Sequence, residues 1–391
     1  MNDFDLGRSI AEITLGIDAL ERASGAGRGA LDTEGLVPIF MGTDLVAPRA
    51  FADWSAAHAA LDEVEPGITA LPEGPRKTFL RSMTRSLRAA TRLFAGEPLD
   101  FATKLTDLVG VPAEPVPDAT VAAIHARLEA LLRARGYTSG TLGERVRTWE
   151  RERYLEADAL PKVFEELMAV AKRRTDESIF DTRDYTMALN PMRGVPYTAR
   201  CAFNDGNMDI NLDVSFTRSA LKHLVCHEVF PGHSTQLLYT RAKAERGESP
   251  LDALLCTTNA VTGCVQEGIG DQGIELIDWV EDEDDAAHIE IRRLQTACGT
   301  NAAWYLMTGA WTRDEAAQYL RDNAFAQEAW INGRLAMAQH PFRGAFVASY
   351  WFGTEAVRTV RERTAPADRP AFLKYLYEGL HSPESLLMFA A

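Results

Sequence analysis

No stretch of this sequence approaches the roughly 20 consecutive apolar residues needed to cross a bilayer, so no membrane partner is expected. The opening residues, Met1-Asn2-Asp3-Phe4-Asp5, lack both the basic and the apolar segment of an export signal, which makes a cytoplasmic location the expectation. Basic charge is scarce, with 41 Lys and Arg against 56 Asp and Glu and a net charge of −15. A nucleic-acid partner needs a basic footprint and is excluded on that ground. Cysteine is sparse as well. Cys201, Cys226, Cys256, Cys264 and Cys298 are odd in number and widely spaced, which excludes a disulfide framework and points to reduced thiols. The glycine-rich stretch Ser24-Gly25-Ala26-Gly27-Arg28-Gly29 has no strand before it, so it reads as a connection and not as a phosphate loop.

What remains is a chain of 391 residues and 46% hydrophobic content, enough for one large or two closely packed domains. Helical periodicity dominates, and the fold class expected is mainly α: a multi-helix bundle with a small β-hairpin or edge strand next to its most informative helix. Ile10, Ile13, Ile17 and Leu20 share one helical face, as do Phe79, Met83, Leu87, Ala90 and Phe94. Arg81, Arg85, Arg88 and Arg92 stripe the other side of that second helix and read as solvated or paired with nearby acids. Val111-Pro112-Ala113-Glu114-Pro115-Val116-Pro117 breaks any helix. It divides the chain into an N-terminal helical subdomain, 1–110, a Pro-rich linker, 111–120, and a helical catalytic region, 121–391. Helices are expected over 121–135 and 142–174. Met208 to Asp213 alternates as a strand, and with Tyr197 to Phe203 and the turn Asn204-Asp205-Gly206 it forms a hairpin. Glu281 to Asp285 reads as a solvated acidic loop, and Thr312 with Glu315 as a capping box.

The most informative segment is His227-Glu228-Val229-Phe230-Pro231-Gly232-His233. A catalytic zinc ion takes three protein ligands, commonly His nitrogens and a carboxylate, and keeps a position for water whose pKa falls to about 7. In the HExxH arrangement the two His stand four residues apart on one helical face, with the intervening Glu as general base. Here the interval is six, which an undistorted helix cannot close. Pro231-Gly232 predicts a kink or bulge that swings His233 back toward His227. The pair His223 and His227, four apart, is the alternative. Downstream, Gln266-Glu267-Gly268-Ile269-Gly270-Asp271 offers Glu267 as third ligand, with Asp271 one turn on to hold a ligating His by its other ring nitrogen.

The pattern HExxPGHxxQ, here His227, Glu228, Pro231, Gly232, His233 and Gln236, resembles the signature of a large bacterial domain-of-unknown-function family of gluzincin-like zinc metallopeptidases. Glu267-Gly268 is similar to that family's Glu-Gly-Trp-Ala element and, with Asp271, to the Glu ligand and supporting Asp of thermolysin and angiotensin-converting enzyme. Tyr350-x-x-Gly353 is similar to its late Ser-Tyr-x-x-Gly element, and Phe372 to Leu387 to its closing helix. The resemblance runs from about Asp184 to the C-terminus. It implies one zinc, or another divalent transition metal, on His227, His233 and Glu267. Glu228 would be the general base, Asp271 would orient a ligand, and Tyr350 would hydrogen-bond the oxyanion. The chain departs from the family in its shorter N-terminal region, in Arg343-Gly344-Ala345-Phe346 where members have Pro-Gly-Gln, and in lacking an Asp-Thr-Gly-x-His element.

Hydrolysis of an amide or peptide bond in a small substrate is therefore the expected function. The alternative is a zinc enzyme of the same scaffold acting on a non-peptide small metabolite. His340, Arg343 and His381 are candidates for binding the substrate, and the hairpin before the metal helix could receive an extended peptide.

Overall fold

A computed structural model describes residues 2–24, 35–195 and 198–390, and shows a mainly helical protein with two small sheets. The stretch 25–34, which holds most of the glycine-rich connection, and Tyr197 lie outside the described residues.

Helix α1, Asp3–Ala23, starts on a capping box between Asn2 and Asp5 and buries Leu6, Ile10, Ile13 and Ile17. With α2, Trp54–Ala70, and α3, Pro75–Phe94, it encloses a core that also takes in Leu255, Ala260 and Val261. The arginine stripe of α3 is paired outward, Arg88 with Asp62 and Arg92 with Glu97. The proline-rich stretch returns to the helices, where Val116 exchanges two hydrogen bonds with the side chain of Asn301.

Helix α4, Asp118–Ala134, is followed by α5, Leu142–Arg151, and α6, Leu160–Ser178. The single helix expected over 142–174 is thus interrupted. The chain at Tyr154 and Leu155 pairs with Phe216 and Thr217, and Pro161 opens the first turn of α6, where a missing N–H costs nothing. Strand β1, Ile39–Phe40, pairs with Leu255–Cys256 in a two-stranded sheet. The sheet that follows is built of β2, Ala188–Met192, β3, Ala199–Ala202, and β4, Asn207–Asn211, in the order β2-β4-β3. Strands β3 and β4 form the expected hairpin, and Gly206 at φ 62° supplies the left-handed turn residue. Strand β2 adds to β4 in parallel, which leaves β3 at an edge.

Thr217 caps α7, Arg218–Glu228, and α8, His233–Glu245, begins after four intervening residues. Next come α9, Val261–Asp271, α10, Glu283–Met307, and α11, Arg313–Asn323, the last opening on the expected Thr312/Glu315 capping box. Helices α12, Glu328–Ala338, α13, Ser349–Arg363, and α14, Arg369–Glu378, complete the frame. One core joins α4, α5, α10, α11 and α12, and a second joins α6, α7 and the three-stranded sheet. Helix α9 packs tightly on α13: a Cβ on Gly268 would stand 2.2 Å from the Gly353 carbonyl oxygen, and one on Gly353 would stand 1.8 Å from that of Cys264.

The acidic run is not a solvated loop. Asp282 caps α10 through the N–H groups of Asp284 and Asp285. Asp285 is buried and accepts from Lys222 Nζ at 2.6 Å.

Candidate metal centre

Pro231 and Gly232 do more than kink a helix: they end one and begin another. The carbonyls freed at the end of α7 are taken up by α8, with Ser234 Oγ donating to Glu228 O at 3.0 Å and Thr235 Oγ1 to Val229 O at 2.9 Å. Tyr377 donates to Pro231 O at 2.8 Å. Only glycine fits at 232, because a Cβ there would lie 1.7 Å from His227 O. The turn folds back tightly enough to bring the imidazoles of His227 and His233 to 4.8 Å between ring centroids, nearly perpendicular.

Glu267 arrives from α9. Its Oε2 lies 3.3 Å from His227 Nε2 and 3.9 Å from His233 Nε2. Ligand atoms about 2.0–2.1 Å from a tetrahedral zinc stand roughly 3.4 Å apart. The three donor atoms lie within 4.8 Å of one another, so their spacing suits such an ion. The same Oε2 is buried and, though close to His227, lacks the alignment of a hydrogen bond. A buried carboxylate oxygen in that state calls for a cation. Burial resists charge on His227, but the carboxylates of Asp271 and Glu267 outweigh it and hold its pKa well above the usual value. Burial likewise resists charge on Glu267, and the two imidazoles overcome it and lower its pKa.

Asp271 sits behind this group. Its Oδ1 receives His227 Nδ1 at 3.1 Å, His223 Nε2 at 3.2 Å and Arg292 at 3.2 Å, while Thr354 Oγ1 donates to Oδ2 at 3.2 Å. His227 is thereby fixed with Nδ1 toward Asp271 and Nε2 toward Glu267. Gly270 makes room for that ring, since a Cβ there would come within 2.8 Å of Nδ1. His223, His227 and Asp271 form a second group of close donors. There, however, a guanidinium already neutralises the carboxylate, and burial lowers the His223 pKa to about 4.

Glu228, the last residue of α7, is partly exposed beside the group. The Cys201 thiol on β3 lies against its carboxylate, and burial together with that carboxylate pushes the thiol pKa well up. The edge strand therefore stands directly beside Glu228. Tyr350, in the first turn of α13, is close enough to Glu267 that burial and this negative charge both raise its pKa. The guanidinium of Arg334 lies 4.6 Å from the Tyr350 ring centroid.

The other candidate residues are placed differently. His340 Nδ1 accepts from the N–H groups of Phe342 and Arg343 and caps a turn. Arg343 is buried, with its charge felt at Tyr350. His381 bonds the Tyr375 carbonyl at 2.9 Å and lines a separate cavity with Arg76. Arg292 and Arg334 were not legible as site residues: neither belongs to a motif, and only the packing of α10 and α12 brings them in.

No protein-family model matches the chain, and no curated protein does. Solved structures do. A protein of Colwellia psychrerythraea described as a "putative lipoprotein" superposes with a TM-score of 0.58 at 16% identity, over 85% of this chain and 68% of that one. A "putative lipoprotein of unknown function" from Shewanella oneidensis gives 0.54 at 14% identity, over 85% and 70%. At these identities the likeness is one of fold.

Proposed function

We propose that this chain is a zinc-dependent hydrolase of gluzincin type that cleaves an amide or peptide bond in a small substrate. The observation that carries the reading is the convergence of His227 Nε2, His233 Nε2 and the orphaned Glu267 Oε2 on one point, with Glu228 beside them. These three residues would hold the ion. When bound, zinc lowers the pKa of a coordinated water to about 7 and polarises a carbonyl.

The chain's own groups account for the rest. Asp271 keeps the proton on His227 Nδ1 and leaves Nε2 as a lone-pair donor. Glu228 takes a proton from the attacking water and returns it to the leaving nitrogen. Cys201, held protonated and donating to Met187 Sδ at 3.8 Å, lies beside Glu228 without competing as a nucleophile. The Tyr350 hydroxyl, also held protonated, donates to the oxyanion as it forms. Strand β3 offers its free edge to an extended substrate.

Elemental analysis of the purified protein should find one transition-metal ion per chain, lost in His227→Ala and His233→Ala. Glu228→Gln should keep the ion while turnover of a peptide mixture falls by about 10²–10⁴-fold. A metal-free wild type, or full turnover in Glu228→Gln, refutes the proposal.

A further inference from the structure

Arg334 departs from a pattern that most of the partly buried arginines keep. Arg76 is answered by Asp3 and Asp252, Arg293 by Glu290 and Glu355, Arg358 by Glu355 and Glu362, and Arg361 by Glu275. Arg334 forms no hydrogen bond or ion pair among the described residues. In a chain with 15 more acids than bases, leaving a guanidinium without a carboxylate is not forced by composition. Its contacts are instead aromatic, with Trp330 at 4.9 Å and Tyr350 at 4.6 Å from its central carbon. Its stem passes the α10 backbone at Gly299. Stacking of this kind holds the guanidinium plane in place and leaves its N–H edges free. Burial disfavours its charge, as expected of a cation whose counter-ion comes from outside. The hydroxyl of Tyr350 likewise has no hydrogen-bond partner among the described residues, and Glu267 is near enough to act on both side chains.

We infer that Arg334 is the docking point for a substrate carboxylate, so that the site takes small amides or peptides whose scissile bond lies close to a free carboxylate. A planar fork of N–H donors matches a carboxylate in two parallel hydrogen bonds, which a lysine cannot reproduce. Stacked on Tyr350, the fork sets the distance between the bound carboxylate and the carbonyl that Tyr350 faces. The inference rests on the hydrolase reading above, and its own role is specificity, not chemistry.

Two probes separate the two claims. Acetohydroxamate is a metal ligand without a carboxylate, and succinic monohydroxamate is the same ligand carrying a carboxylate two methylenes away. Titrated calorimetrically into the zinc-loaded full chain, the carboxylate probe should bind at least about tenfold more tightly. Arg334→Met should abolish that advantage and leave acetohydroxamate binding unchanged. Arg334→Lys, with charge but no fork, should retain part of it. Equal affinity for the two probes in wild type, or an advantage that survives in Arg334→Met, overturns the carboxylate site while the metal reading stands. Failure of both probes to bind a protein that also carries no metal overturns the hydrolase reading and this inference with it. Unchanged acetohydroxamate affinity in Arg334→Met also shows that the variant is folded.

Discussion

Helix α7 carries two buried charge clusters, five residues apart, that are built in opposite ways. At Lys222 every charge is answered from within. Its fully buried Nζ meets Asp285 at 2.6 Å and Glu281 at 2.9 Å and lies 4.1 Å from the Trp279 ring centroid. Asp285 in turn holds Ser219 Oγ at 2.9 Å and the Glu281 N–H at 3.0 Å. At His227 the side toward Asp271 is closed in the same manner, but the other side is not. Glu267 Oε2 is left buried without a hydrogen bond, and Arg334 and the Tyr350 hydroxyl are left without polar partners among the described residues. Burying unpaired charged groups costs stability, and a fold that pairs every charge of the Lys222 cluster a turn and a half away leaves these open here because something else completes them. The closed cluster is architecture, and the open one carries the proposed site.

Three measurements sharpen or break this contrast. The largest effect is expected at the closed cluster. Lys222→Met leaves Asp285 buried and unpaired, which should cost about 3–5 kcal/mol in denaturant unfolding. A loss below about 1 kcal/mol would mean that the cluster is not closed in the sense argued here.

At the open cluster, adding a partner should stabilise. Zinc at 100 times its dissociation constant should raise unfolding free energy by about 2.7 kcal/mol in wild type and not in His233→Ala. An equal rise in both proteins would place the ion elsewhere.

His381 is an intermediate case, a buried imidazole with a backbone partner and Arg76 nearby. Burial is the main cause that lowers its pKa to about 4, against the stabilising bond to Tyr375 O and with the charge of Arg76 adding to burial. The folded chain therefore binds this proton less well than the unfolded one, whose His titrates near 6.5. Its contribution is intact above that value and is lost as pH falls from about 6.5 toward 4. Between pH 7 and 5 the loss should be about 2 kcal/mol. Comparing wild type with His381→Asn isolates it: the variant should lose correspondingly less over the same interval, and parallel losses would show that His381 keeps an ordinary pKa.

Much of the frame was legible in one dimension because its signals are local. The apolar faces of α1 and α3, the Thr312 capping box, the hairpin turn at Gly206 and the one-turn offset of Glu267 and Asp271 depend on residues within a few positions of each other. Where the reading missed, the deciding contact was distant. The interruption before α6 is held by Phe216 and Thr217, and β2 joins the sheet through a parallel pairing that no turn announces. The acids 281–285 look solvated until Lys222, some sixty residues earlier in the chain, is placed against them.

The site divides along the same line. The sequence alone determined the chemical kit: two imidazoles and a carboxylate in seven residues, a proline and glycine to stop the helix between them, and a downstream Glu with its supporting Asp. These relations span a turn or two of helix, so local backbone geometry governs them. Tertiary structure alone decided how the kit is set. It brought Glu267 to His227 and His233, turned His227 toward Asp271 with Arg292 behind it, laid the edge strand with Cys201 against Glu228, and stacked an unpaired Arg334 on Tyr350. Each of those contacts crosses between helices or strands far apart in the chain, where side-chain packing and the close approach allowed at Gly268, Gly270 and Gly353 set the distances, and no pattern of spacing encodes them.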